Sequence, residues 1–197
     1  MKKLIFTGLL AVAGLTSSAN AQIQEGNWMV GSSLLSSRFG LNTNAGYDIS
    51  IQPRAAYFVK DNVAVGGYVT LGTAKVTKDS GTKFTYGVGA LGRYYLSPGE
   101  QGVDNLLNHG RWFFEGNVGI GGQNTKGGTN TTGLDFGVGP GYSYFITPNI
   151  GVEGLVKYAG ITGFGNEGLT SNITFNVGFS IFLPTSKGRE VMNDVKN

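Results

Sequence analysis

The sequence predicts an all-β fold, an eight-stranded antiparallel up-and-down transmembrane β-barrel, on three observations. Apolar and polar residues alternate with period 2 in segments of about ten residues, and no segment keeps a 3.6-residue period over a helix length. The stretch Pro53-Arg-Ala-Ala-Tyr-Phe-Val-Lys-Asp-Asn-Val-Ala-Val-Gly-Gly-Tyr-Val69 returns 87 residues later as Pro140-Gly-Tyr-Ser-Tyr-Phe-Ile-Thr-Pro-Asn-Ile-Gly-Val-Glu-Gly-Leu-Val156, with seven of seventeen positions identical. Each copy reads as a hairpin: an aromatic strand end, a polar turn (Lys60-Asp61-Asn62 or Thr147-Pro148-Asn149) and a departing β-branched strand. Charged residues make up only 14% of the chain while glycines number 34, a poor match to a wet surface that usually needs about 25% charge.

Taken in order, residues 1–21 read as a secretory signal peptide: Lys2 and Lys3, an apolar run from Leu4 to Leu15, and Ala19-Asn20-Ala21 as the cleavage site. The run is too short for the ~20 residues of a membrane-spanning helix, so cleavage after Ala21 and residence outside the cytoplasm are expected. The barrel is expected to occupy residues 22–183. Its first strand, about Asn27 to Ser37, sets Trp28, Val30 and Leu34 on one face. The second opposes Tyr47, Ile49, Ile51, Ala55 and Tyr57 to Asp48, Ser50, Gln52 and Arg54. The third opposes Val63, Val65, Val69 and Leu71 to Ala64, Gly66, Tyr68 and Thr70, and the fourth opposes Phe84, Tyr86, Val88, Ala90 and Tyr94 to Thr85, Gly87, Gly89 and Arg93. In the fifth, Trp112, Phe114, Val118 and Ile120 face away from Glu115, Asn117 and Gly119. The sixth turns Leu134, Phe136, Val138, Tyr142 and Tyr144 away from Asp135, Gly137, Gly139, Gly141 and Ser143. The seventh separates Val152, Val156 and Tyr158 from Gly151, Glu153 and Lys157. The eighth, Asn172 to Leu183, alternates most regularly, with only Phe182 out of phase at its end. Residues 184–197 form a polar tail of mixed charge, expected to be a frayed end.

The chemistry of the two faces selects the solvent. A soluble barrel needs a Lys/Glu-rich exterior and a bulky apolar interior. Here the polar face is mostly Gly, Ser, Thr and Asn, and the apolar face carries Tyr57, Tyr86, Tyr94, Trp112, Tyr144 and Tyr158 where membrane barrels have aromatic girdles. The apolar face is therefore expected to meet lipid. The connections near residues 38–46, 75–82, 123–132 and 162–170 are expected to be the longer loops, opposite the two short hairpin turns. Residues 97–110 form a long connection on the hairpin side, with a helical turn expected at Val103 to Leu107. Pro53 and Pro140 remove ladder donors, and their matched placement predicts a bulge or bend just before each turn.

The leader, the eight strands, the repeated Tyr-Phe-x-x-x-Asn-[Val/Ile] hairpin and the terminal Val177-Gly178-Phe179-Ser180-Ile181-Phe182 strand together resemble the small outer-membrane β-barrel family, often labelled "porin family" and similar in fold to the OmpA transmembrane domain and OmpX. The resemblance covers residues 22–183. It implies residence in the outer membrane of a Gram-negative envelope, contact with outer-membrane lipids and lipopolysaccharide, and insertion by machinery that reads a terminal-strand aromatic, here Phe182. It leaves any extracellular ligand open.

The alternation turns Arg54, Arg93, Glu115, Glu153 and Lys157 inward, the inexpensive side, since a mid-bilayer Arg or Lys on the lipid face costs about 2–4 kcal/mol. An eight-stranded interior is just wide enough for side chains to fill, so these residues are expected to form one lumenal layer of ion pairs that plugs the bore. A structural or surface-interaction role follows, with a narrow gated channel as the alternative.

Other chemistry finds little footing. Hydrolases on small outer-membrane barrels rely on an essential His, and His109 falls in the 97–110 connection with no Ser/acid partner in view, so no catalysis is expected. Gly119-Ile-Gly121-Gly122 and Gly137-Val-Gly139-Pro-Gly141 lack the helix and Lys-Ser/Thr pair of a phosphate loop and read as inward glycines in a narrow lumen. No metal-ligand spacing occurs, no cofactor is implied, and zero cysteines exclude disulfides and thiolate sites. The formal +3 includes Lys2 and Lys3, leaving +1 after the leader, which gives no support to nucleic-acid binding.

Overall fold

Eight strands follow one another along the chain: β1 (Trp28–Phe39), β2 (Ala45–Lys60), β3 (Val63–Thr77), β4 (Lys83–Tyr95), β5 (Gly110–Thr125), β6 (Asn130–Thr147), β7 (Ile150–Gly163) and β8 (Leu169–Leu183). In the computed structural model they pair antiparallel, each with its sequence neighbours, and β1 pairs with β8 to close the barrel. Closure removes the free sheet edge over Trp28–Leu34 and Val177–Leu183. The structure describes residues 23–39, 45–77, 81–96, 110–127, 130–147, 149–164 and 169–185. The leader and its cleavage site, the helical turn expected at 103–107, His109 and residues 186–197 of the tail lie outside the described residues.

The alternation read from the sequence becomes the two sides of the wall. Ile51, Pro53, Ala55 and Val59 are exposed while Gln52, Arg54, Ala56 and Phe58 between them are buried, and the other strands repeat the pattern. The exposed side is a continuous apolar band that includes Val65, Val69, Leu71, Val88, Val118, Ile120, Val138, Val156 and Phe175. The buried side is the lumen.

Following paired residues from Trp28 through Tyr57, Val65, Gly92, Gly116, Val138, Tyr158 and Ile173 leads, by the register of the β1–β8 ladder, back to β1 ten residues above the start. The strands are therefore tilted, as closure requires. Residues at one height lie at staggered sequence positions.

A register shift does fall just before each turn, as expected, but not at the prolines themselves. Partners in the β2–β3 ladder lapse between Ile51 and Arg54, and in the β6–β7 ladder between Val138 and Gly141, yet the register is the same on both sides of each gap. Pro53 still pairs with Ser32, and Pro140 with Phe114. Each residue offers its amide to one neighbour only, so a proline costs one bond on one side. The shifts fall beside the turns, between Phe58 and Lys60 and between Phe145 and Thr147, with another between Leu34 and Ser36. The strands also run further toward the loop end than expected, to Phe39 in β1, Thr77 in β3, Thr125 in β5 and Gly163 in β7.

Candidate functional site

The lumen is organised in three tiers, starting at the hairpin end. The lowest is aromatic. Phe58, Tyr95, Phe113, Phe145 and Phe182 are buried there with Met29, Ala56 and Ala64. Ring centroids lie 5.3 Å apart for Phe145 and Phe182, 5.5 Å for Tyr95 and Phe113, and 6.0 Å for Phe58 and Tyr95, within the range in which offset and edge contacts are favourable. Below them Ile23 is buried across the mouth, where its carbonyl accepts the Asn62 amide at 2.9 Å. The Thr185 hydroxyl donates to the Gly26 carbonyl at 2.6 Å, so the start of the tail is tied to the same segment.

The middle tier is ionic and contains all five inward charges singled out in the sequence. Arg54 Nη2 lies 2.5 Å from Glu153 Oε2, Arg93 Nη1 2.7 Å from Glu153 Oε1, Arg93 Nη2 2.5 Å from Glu115 Oε2, and Lys157 Nζ 2.9 Å from Glu115 Oε1. Each carboxylate thus bridges two cations. Arg54 also donates to the Ser33 hydroxyl. Arg93 joins this tier to the one below: it donates to the Tyr95 hydroxyl at 2.9 Å, and its guanidinium carbon sits 4.0 Å from the Phe113 ring centroid, a cation–π distance.

The upper tier, toward the loop end, is a polar cup of about 300 Å³ lined by Gln52, Thr70, Asn117, Asp135, Lys157, Asn172, Thr174 and Asn176 among others. Tyr68 spans the lumen beneath it. Its hydroxyl donates to Asp135 Oδ2 at 2.5 Å and accepts from Asn117 Nδ2 at 3.1 Å. Glycine is required where this side chain passes, because a Cβ at Gly89 or Gly119 would meet the Tyr68 hydroxyl at 2.5 Å. Asp135 Oδ1 and Asn176 Oδ1 are buried and accept no hydrogen bond from the described residues.

The aromatic residues assigned to girdles divide. Tyr57, Tyr94, Trp112 and Tyr144 face outward close to the hairpin end, where Trp28 meets Tyr57 edge-on at 5.3 Å. Tyr86 lies near the loop end of β4. Tyr158 belongs to neither end: it sits in the interior of β7, paired with Val138 and Ile173. Phe182 is 0% exposed and belongs to the lumenal aromatic tier, while Leu183 is the outward residue at the end of β8. Its break in the alternation therefore marks a residue turned inward. Sequence reasoning placed Tyr68, Asn117 and Asp135 on the polar face without joining them, and it missed Phe58, Tyr95, Phe113 and Phe145. The signal for the second group was present in the repeat, as Phe58 and Phe145 occupy equivalent positions in its two copies.

No protein-family model matches the chain, and no curated protein matches its sequence. Solved structures do match. Neisserial surface protein A aligns with a TM-score of 0.55 at 15% identity, covering 79% of this chain and 95% of that one. The N-terminal β-barrel domain of Pseudomonas aeruginosa OprF aligns at 0.48 and 14% identity, covering 81% and 98%. The attachment invasion locus protein Ail of Yersinia pestis aligns at 0.47 and 12% identity, covering 81% and 100%. At 15% identity, the likeness to Neisserial surface protein A shows the barrel fold alone.

Proposed function

We propose that this chain is an integral protein of the bacterial outer membrane with an occluded lumen, serving the envelope through structure and surface interaction rather than conduction or catalysis. The observation that carries this reading is the double closure of the bore, by a buried aromatic tier and by four ion pairs stacked on it. The continuous apolar band supports a lipid setting, because the backbone of a closed barrel is satisfied internally and only its outward side chains meet the solvent.

In this reading the hairpin turns lie in the periplasm and the loop end at the cell surface, following export on a cleaved leader. Tyr57, Tyr94, Trp112 and Tyr144 anchor the inner interface, and outer-membrane lipids and lipopolysaccharide surround the wall. Phe182 is accessible to the insertion machinery before closure and packs in the lumen afterwards.

Planar-bilayer recording of the refolded protein tests the proposal. No steady ion-selective openings are expected from the wild type. Steady openings that change with Arg93→Ala would instead make the ionic tier the gate of a narrow channel.

A further inference from the structure

We propose that the polar cup at the loop end of the lumen is a binding site for a small solute carrying a protonated amine, received by Asp135 and Asn176. The cup of about 300 Å³ is at the small end of the range for ligand sites. The tiers beneath it close the other direction, so a solute entering from the loop end meets a floor.

The floor is short of donors. Asn176 is 4% exposed, yet its Oδ1 accepts nothing from the described residues, and the same is true of the buried Asp135 Oδ1. Buried acceptors are ordinarily satisfied, and two of them lining one cavity describe a place for hydrogen-bond donors. Charge narrows the class. Arg54, Arg93 and Lys157 are held by Glu115 and Glu153 in four ion pairs, whereas among the described residues Asp135 receives only the neutral Tyr68 hydroxyl and Asn117 amide. Lys157 also lines the cup, with its ammonium committed to Glu115 at 2.9 Å. A protonated amine brings both the donors and the charge that Asp135 lacks. A neutral alcohol brings donors alone, and an anion brings a charge that Asp135 repels.

The wall is shaped to leave space around Asp135. A Cβ at Gly119 would come within 2.8 Å of Asp135 Oδ1, and one at Gly121 within 3.6 Å. Glycine at both positions leaves room beside the buried oxygen.

Saturation-transfer NMR on the refolded full barrel in zwitterionic micelles tests this, with ethanolamine as the probe and ethylene glycol as its neutral counterpart. Ethanolamine is expected to bind at least tenfold more tightly. Asp135→Asn should remove that preference and Asn176→Ala should weaken ethanolamine severalfold, while Glu25→Gln, outside the cup, should change nothing. Equal binding of the two probes, or unchanged ethanolamine binding in Asp135→Asn, would overturn the proposal. Should Asp135→Asn fail to refold, Asn176→Ala and the two-probe comparison on the wild type decide. The readout is independent of conductance, so a channel with such a cup and a closed barrel without one remain distinguishable.

Discussion

Arg93 concentrates the physics of the lumen in one side chain. It is 2% exposed and contacts both lumenal glutamates, the Tyr95 hydroxyl and the face of Phe113. Its planar fork serves two carboxylates at once, which a lysine ammonium cannot reproduce with the same geometry. Arg93→Ala leaves Glu115 with Lys157 and Glu153 with Arg54, each in a site built for two cations. Removing one partner of a buried pair typically costs about 3–5 kcal/mol, and a loss of that size is expected in urea unfolding followed by Trp28 and Trp112 fluorescence in vesicles. Arg93→Lys should recover part of it. The inward phase of Arg93 was legible from period 2 alone, since its neighbours Gly92 and Tyr94 face outward. Its bond to Glu153, 60 residues away, was not, because alternation gives the face of a residue but not its height.

At the scale of elements, the hairpin repeat extends further than the seventeen residues that reveal it. The Asn62 carbonyl accepts the Tyr95 amide at 2.8 Å, and the Asn149 carbonyl accepts the Phe182 amide at 2.8 Å. Both pairs have the same sequence separation, so β2–β4 and β6–β8 repeat as backbone even where residue identity has faded. Four of the five aromatic rings in the lowest tier are two repeat-related couples, Phe58 with Phe145 and Tyr95 with Phe182. The turns themselves differ. Asn62 has φ 67°, the only non-glycine positive φ among the described residues, a region that Asn tolerates and β-branched residues resist. Asn62→Val is expected to cost about 1–2 kcal/mol, read as a lower urea midpoint, whereas Asn62→Gly should be near neutral. The prolines themselves leave the register unchanged for a related reason. A bulge relieves steric conflict, but a missing donor needs only one unmade bond, and the wall tolerates that without changing register.

For the molecule as a whole, the sequence displayed strand number, facing and closure because each is a period-2 property repeated eight times. The tiers depended on shear, which only the closed register supplies: ten residues of stagger distributed over eight strands bring Arg54 of β2 level with Glu153 of β7. Strand ends were hidden in the Gly/Thr/Asn stretches, where small polar residues serve a strand above the apolar band as well as a loop. Seven of the eight ladders join neighbours in sequence, while the eighth joins the two ends of the barrel. It is also short. Trp28–Leu34 pairs with Leu183–Val177, although β1 continues against β2 to Phe39 and β8 against β7 to Leu169. The side chains above the end of this ladder are correspondingly open, with Ile173 67% and Phe175 75% exposed against 37% for Ile49 and 42% for Ile51 on β2. Hydrogen–deuterium exchange should therefore protect the amides of lower β8 more strongly than those of Leu169–Asn176 that face β1, and uniform protection along β8 would contradict it. Because hairpins can form by local zippering while this seam requires the chain ends to meet, the barrel should assemble as a curled sheet that latches last and lowest. Under mechanical or thermal load, the same seam is where it should begin to unbutton.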